Sequence, residues 1–257
     1  EDLDERLRQI ESAMTPRAAR TVTLSASERR KIESLGYLGG GQRDGAAGGP
    51  RHDIKEMLPL LWRSFEAEAL VQSGRVAEAL SIWRELTAES PETILWRNSL
   101  GVSLLKVEQA EEAVRTLEAL KAEMERDASA LAAVQPDGGG IYPAVVNNLA
   151  FALCAAGKHA EALPLARQAV ELEKDNGSYR HTLATALRGS GDRAAALQAA
   201  QIAADLLPSP EHLLTLAQCL QEAGQTRPAR NAALRVLQMP ADAAEKERAR
   251  ALLEKLR

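Results

Sequence analysis

Leu149-Ala150-Phe151-Ala152-Leu153-Cys154-Ala155-Ala156-Gly157-Lys158-His159-Ala160-Glu161-Ala162 holds the unit from which the rest of the chain can be read. Leu149 and Leu153 flank the small Ala150 on an apolar helical stripe, Gly157 marks a turn, and Ala162 follows twelve residues after Ala150. Two antiparallel helices joined by a tight turn approach closely only where both facing surfaces carry small side chains. The spacing therefore predicts a helical hairpin with its small residues turned inward.

The same unit recurs on both sides. Its turn residues are Gly74, Glu108, Gly157, Gly191 and Gly224, spaced by 34, 49, 34 and 33 residues. The small residue of the first helix is Ala67, Gly101, Ala150, Ala184 or Ala217, and the alanine of the second is Ala79, Ala113, Ala162, Ala196 or Ala229. Each pair is 12 residues apart. Pro91 and Pro208 close two of the copies, because proline cannot continue a helix and pre-sets the turn into the next. Self-similarity at this period is the mark of a solenoid, in which each unit buries its apolar face against its neighbours. The expected fold is all-α: five antiparallel helix pairs over 57–241 in one superhelical stack, then a charged capping helix over 242–257.

One step is fifteen residues longer than 34. The extra residues begin with good helix formers and end at Pro136-Asp137-Gly138-Gly139-Gly140, so an overlong second helix running past Glu123 and then a loop are expected over about 123–140. This excursion reads either as a docking protrusion or as an insertion tolerated at an exposed turn.

The composition fits close helix packing, with 45% hydrophobic residues but only 3% aromatic, so that alanine and leucine must build the core. Lysine and arginine number 32 against 36 aspartate and glutamate, and a net charge of -4 offers no field to hold a phosphate backbone. Nucleic acid is not an expected partner. No run approaches the apolar length of a membrane span.

Chemistry-bearing patterns are not found. Cys154 and Cys219 lack CxxC or Cys/His companions and read as small buried hydrophobes. None of His52, His159, His181 and His212 has a second histidine at helical metal-pair spacing. Gly138 to Gly140 neither follow a strand nor precede Lys-Ser/Thr, as a phosphate loop would. No catalytic residue, metal ligand or cofactor site is expected in this segment.

The five copies, most plainly Ser99-Leu100-Gly101 followed by Glu111-Glu112-Ala113, resemble the tetratricopeptide repeat (TPR) family over about 58–241. The family's bulky aromatic of the first helix is replaced here by Arg63, Arg97, Val146, Arg180 and Leu213, while Trp62 and Trp96 stand one residue earlier. A shifted packing between the first two repeats is therefore expected. The resemblance implies a concave groove lined by the first helices, suited to a protein or peptide ligand. Its groove sites are Asn98, Asn147, Asn148, Phe151, His181, Thr185, Arg188 and Gln218, of which Asn147, Asn148, His181 and Arg188, clustered in the two central repeats, are the best contact candidates, and Ser64, Glu68, Val102, Leu214 and Gln221 complete the lining. Side-chain amides suit an extended backbone, because they pair with its donors and acceptors without fixing its sequence. The family's chaperone-binding clamp for a terminal carboxylate is not expected, since the matching sites supply no lysine and Glu68 would repel the ligand.

Residues 1–50 do not follow the repeat. A helix is expected from the spacing of Leu3, Leu7, Ile10 and Met14, and another from the capping-box pair Ser25 and Glu28. A Gly-rich linker follows at 41–56. Leu24-Ser25-Ala26-Ser27-Glu28-Arg29-Arg30-Lys31-Ile32-Glu33-Ser34-Leu35-Gly36-Tyr37-Leu38-Gly39 and the later His52-Asp53-Ile54-Lys55 resemble the junction of bacterial sulfatase-like hydrolases, where the catalytic domain ends and a repeat array begins. That resemblance implies a chain cut from a longer, exported hydrolase whose catalytic residues precede Glu1, with the periplasm or cell exterior as its compartment. The other readings are two local helices that happen to end at glycine, and a free-standing bacterial scaffold. The hydrolase motif Cys-x-Pro-x-Arg is not matched at Cys154 or Cys219.

Overall fold

The computed structural model describes residues 54–126 and 140–256. The segment read as resembling the end of a catalytic domain, most of the linker and the Gly-rich end of the insertion lie outside the described residues. Eleven helices and no strands are present among the described residues: α1 Ile54–Gln72, α2 Val76–Glu89, α3 Ile94–Lys106, α4 Ala110–Arg126, α5 Ile141–Ala155, α6 His159–Leu172, α7 Gly177–Gly189, α8 Arg193–Leu206, α9 Pro210–Glu222, α10 Thr226–Gln238 and α11 Ala243–Lys255. They form five hairpins, α1–α2, α3–α4, α5–α6, α7–α8 and α9–α10, followed by the single helix α11. The all-helical repeat architecture is the one the spacing predicts.

Each hairpin turns in the same way. Gly74, Glu108, Gly157, Gly191 and Gly224 all have positive φ, between 62° and 88°. The residue after each donates its amide back to a carbonyl five residues earlier, as Lys158 does to Leu153 at 2.8 Å and Gln225 to Leu220 at 2.9 Å. The turn residue itself bonds three back, as Gly157 does to Cys154 at 3.0 Å. This pairing satisfies carbonyls that the end of a helix would leave bare, and it reverses the chain in two or three residues. Helix starts are fixed by side chains where the sequence supplies them. Asn176 caps α7, Asp192 caps α8, Ser209 caps α9 ahead of Pro210, and Asp242 with Glu245 forms a full capping box on α11.

Inside every hairpin the paired small residues are fully enclosed. Ala67 with Ala79, Ala150 with Ala162, Ala184 with Ala196 and Ala217 with Ala229 have no exposed surface, and Gly101 and Ala113 are buried likewise. Each second helix also packs on the first helix of the next repeat, giving α2 to α3, α4 to α5, α6 to α7, and α8 to α9. From α3 onward the first helices also touch one another in sequence, α3 to α5, α7, α9 and finally α11. They make one continuous layer.

Buried side chains gather in three clusters along the stack. The N-terminal one contains Trp83, Leu86, Trp96, Leu104 and Leu117, and the C-terminal one is largely alanine and leucine from α7 to α11. Between them, Leu120 and Met124 meet Tyr142, Val145, Val146 and Tyr179. At the family's aromatic position the chain divides. Val146 and Leu213 are enclosed, whereas Arg63 pairs with Glu85 and with Glu89 (2.8 Å), and Arg97 pairs with Glu123 at 2.5 Å and donates to the Pro91 carbonyl at 3.2 Å. Arg180 donates to the Lys174 carbonyl at 3.3 Å. Thus in the first two repeats ion pairs join the two helices of a hairpin where an aromatic ring would pack. The tryptophans part company: Trp96 is 5% exposed between repeats, Trp62 71% exposed on α1.

Helix α4 runs to Arg126, past Glu123, with 17 residues against 14 in α2. Its last turn is tied to the start of α5 by side chains. Tyr142 donates its hydroxyl to Glu125 Oε1 at 2.6 Å and accepts from Gln168 at 3.2 Å, while Lys121 Nζ lies 2.7 Å from the same carboxylate oxygen. Burial and Glu125 push the Tyr142 hydroxyl up to about 12, and Lys121 with Tyr142 holds Glu125 below its usual range. The two ends of the insertion are therefore held against each other by a charge-assisted bond.

Candidate functional site

The first helices place their polar side chains one repeat apart, so each can reach the equivalent turn of its neighbour. Asn148 on α5 donates to Asn98 Oδ1 on α3 at 2.9 Å. Asn147, 7% exposed, lies beside Asn148 with 3.5 Å between its Nδ2 and Asn148 Oδ1, and its own Oδ1 has no protein partner. Further along, His181 on α7 shares a 3.0 Å hydrogen bond with Thr215 on α9, and Arg188 Nη1 reaches Glu222 Oε1 at 3.1 Å. The Arg188 Nε is enclosed without a partner. Thr185 returns its hydroxyl to the His181 carbonyl at 3.0 Å.

An aromatic file runs through the same layer. The Phe151 ring lies 6.1 Å from His181, and His181 stacks on His212 with centroids 4.8 Å apart and planes inclined by 29°. His212 Nδ1 is 2.7 Å from the Leu207 carbonyl, which can only accept, so that nitrogen carries a proton. His181 is 6% exposed, and burial lowers its pKa to about 3, with the charges of His212, Arg248 and Arg188 acting the same way. It is a neutral ring at physiological pH, able to hydrogen-bond but carrying no charge for an anion.

Of the residues read as groove lining, Asn98, Asn148, Phe151, Thr185, Arg188 and Gln218 are part-exposed, while Asn147 and His181 are buried within the layer. Ser64 is also buried and donates back to the Leu61 carbonyl at 2.8 Å. Leu214 departs from its expected place: it has no exposed surface and belongs to the C-terminal core, because the same turn of α9 packs against its neighbours on more than one side. Thr215, His212 and Glu222 were not singled out by pattern, yet they complete the polar contacts. Thr215 and Glu222 lie 34 residues beyond His181 and Arg188, one residue past the equivalent positions Leu214 and Gln221, because the step between these repeats is 33.

Neither cysteine is placed for nucleophilic work. Cys154 and Cys219 are buried free thiols, and burial pushes them up to about 12 and about 11. The thiolate, the reactive form, is thus suppressed at neutral pH. Among the described residues no group of three or more His, Cys, Asp or Glu side chains could hold a metal ion, and no helix is long and apolar enough to cross a membrane.

No family model matches the sequence, and no curated protein matches it. Solved structures do match. A thermophilic TPR protein of Thermus thermophilus is 18% identical with a TM-score of 0.62, the match covering 76% of this chain and 98% of that one. The nearly identical TPR-like repeats from Podosopora anserina give 22% identity and a TM-score of 0.54 over 69% of this chain and 92% of theirs. MamA of Desulfovibrio magneticus RS-1 gives 15% identity and a TM-score of 0.50 over 70% of this chain and 93% of its own. At these identities the likeness is one of fold, and the fold is that of a TPR solenoid.

Proposed function

We propose that this TPR-fold array is a non-catalytic module that holds an extended peptide, or an extended segment of a protein, along its layer of first helices. The single observation behind this reading is the row of part-exposed polar side chains on that layer, Asn98, Asn148, Thr185, Arg188 and Gln218, with the Asn98–Asn148 and Arg188–Glu222 contacts each bridging two repeats. Amides and hydroxyls keep donors or acceptors to spare beyond one internal bond, and a ligand backbone supplies both a donor and an acceptor at every residue. The scaffold is also ordered in advance, so little rotamer entropy is left to lose on binding.

The resemblance of residues 24–39 to the junction of sulfatase-like hydrolases supports a second part of the proposal, that the module is the C-terminal portion of such an enzyme and brings it to a partner. The coding sequence upstream of Glu1 tests that part. A domain carrying Cys-x-Pro-x-Arg, or the Ser or Thr of related phosphatases, is the expected result; its absence favours the alternative, a bacterial scaffold unrelated to sulfatases.

Binding is tested separately, with an array of extended peptides probed by the intact chain and by a variant combining Asn98→Ala, Asn148→Ala and Arg188→Ala. The expected result is captured peptides whose affinity falls at least tenfold, about 1.4 kcal/mol, in the variant while its circular dichroism is unchanged. Equal affinity in both proteins moves the contact surface off the first helices. Ester hydrolysis by the purified chain would overturn the non-catalytic reading.

A further inference from the structure

The first helix of the array has two apolar faces, of which only one is covered by described helices. Ala67, Leu70 and Val71 face the N-terminal core, but Leu58, Trp62 and Phe65 are 46%, 71% and 51% exposed. Their spacing of four and three places them on one side of α1. The Trp62 and Phe65 rings already stand edge to face, with centroids 6.1 Å apart and planes at 81°, which fixes the surface they present. In each later repeat the first helix is packed by the second helix of the repeat before it, and α1 has no such neighbour among the described residues.

We propose that this face joins two copies of the chain in a reversible two-fold dimer, with the two α1 helices antiparallel. The far end of the array cannot serve instead. There α11 presents Glu247 and Arg250, 74% and 61% exposed, together with Glu254 and Lys255, so head-to-tail stacking would bury charges against Trp62. A second α1 offers matching apolar surface, and a two-fold contact closes without growing into a fibre. With the two-fold axis midway between Leu58 and Phe65, Leu58 meets the other copy's Phe65. The two Glu66 side chains then lie about 13 Å apart along the helix axis, beyond the screening length at physiological salt. The exposed parts of the three side chains amount to roughly 350 Å² per copy, and twice that is below the 1,200 to 2,000 Å² typical of stable interfaces. The dimer is therefore weak, forming in the micromolar range or above.

The chain carries its own probe, since Trp83 and Trp96 are 2% and 5% exposed and only Trp62 is open to a quencher. Sedimentation equilibrium of the full 257-residue chain from about 1 to 200 µM, with acrylamide quenching measured on the same samples, reads both mass and contact. The expected result is a mass rising from monomer towards dimer while quenching falls in step. Trp62→Ala should weaken association at least tenfold with unchanged circular dichroism and Tm, and Trp62→Phe should retain most of it. Four results would each overturn the proposal: a monomer at every concentration with Trp62 open, a monomer with Trp62 already shielded, assemblies larger than dimers, or a Trp62→Ala chain that associates as before.

Discussion

Glu108 is the one non-glycine residue of positive φ among the described residues, at 62°, where four of the five equivalent turns carry glycine. An L side chain in that region is strained against its own carbonyl, so Glu108→Gly should raise stability by about 0.5 to 1 kcal/mol, the relief being partly offset by a freer unfolded chain. Chemical denaturation measures it, and an unchanged or lowered midpoint would contradict the turn geometry. His181 makes the opposite kind of statement, about acid. Its pKa falls from 6.5 unfolded to about 3 in the fold, so its contribution is complete above 6.5 and is lost as the pH drops towards 3. Between neutral pH and about pH 5 that loss is about 2 kcal/mol. Urea unfolding at both pH values should show a smaller acid loss in His181→Gln than in the native chain; equal losses would mean that this ring is not what resists the proton. The turn at Glu108 was legible in sequence because Gly101 and Ala113 keep the 12-residue pairing around it even where its glycine is missing. The burial of His181 was not, since it depends on Thr215 and His212, a full repeat away, closing over the ring.

The helices themselves were largely written in the spacing of small and apolar residues, because close approach of a hairpin demands small side chains at fixed offsets. Gly101 shows how strict that demand is. A Cβ built there would stand 2.7 Å from both Leu117 Cγ and Cδ2, and Leu117 is fully buried. Gly101→Ala should therefore cost about 1 to 3 kcal/mol as α3 and α4 are pushed apart, read as a lower thermal midpoint. An unaltered midpoint would show that Leu117 has another rotamer available. What spacing left open was which neighbour would cover each outward face. Trp62 and Trp96 have the same position within their repeats, yet α2 packs over the helix of Trp96 and no described helix does so for Trp62. The arginines at the aromatic position were legible as a departure, but their pairing with Glu85, Glu89 and Glu123 needed the second helix to run far enough to bring those carboxylates opposite.

The array as a whole is joined in series: each hairpin holds to the one before and the one after, and the three core clusters succeed one another along it. This arrangement has a mechanical consequence. A tension applied at the two ends passes undivided through every interface, so the weakest yields first while the rest keep their contacts, and the molecule lengthens by instalments. A released repeat of 34 residues adds about 110 Å of contour after its folded width is subtracted, whereas the 49-residue step adds about 160 Å. Pulling single molecules should give a sawtooth of equal teeth interrupted by one longer tooth, and a single rupture of full length would show that the repeats are bound into one indivisible body. The Tyr142–Glu125 bond sits across the base of that longer step. It ties the end of α4 to the start of α5, and Tyr142→Phe should let the long tooth appear at lower force while leaving the others where they were.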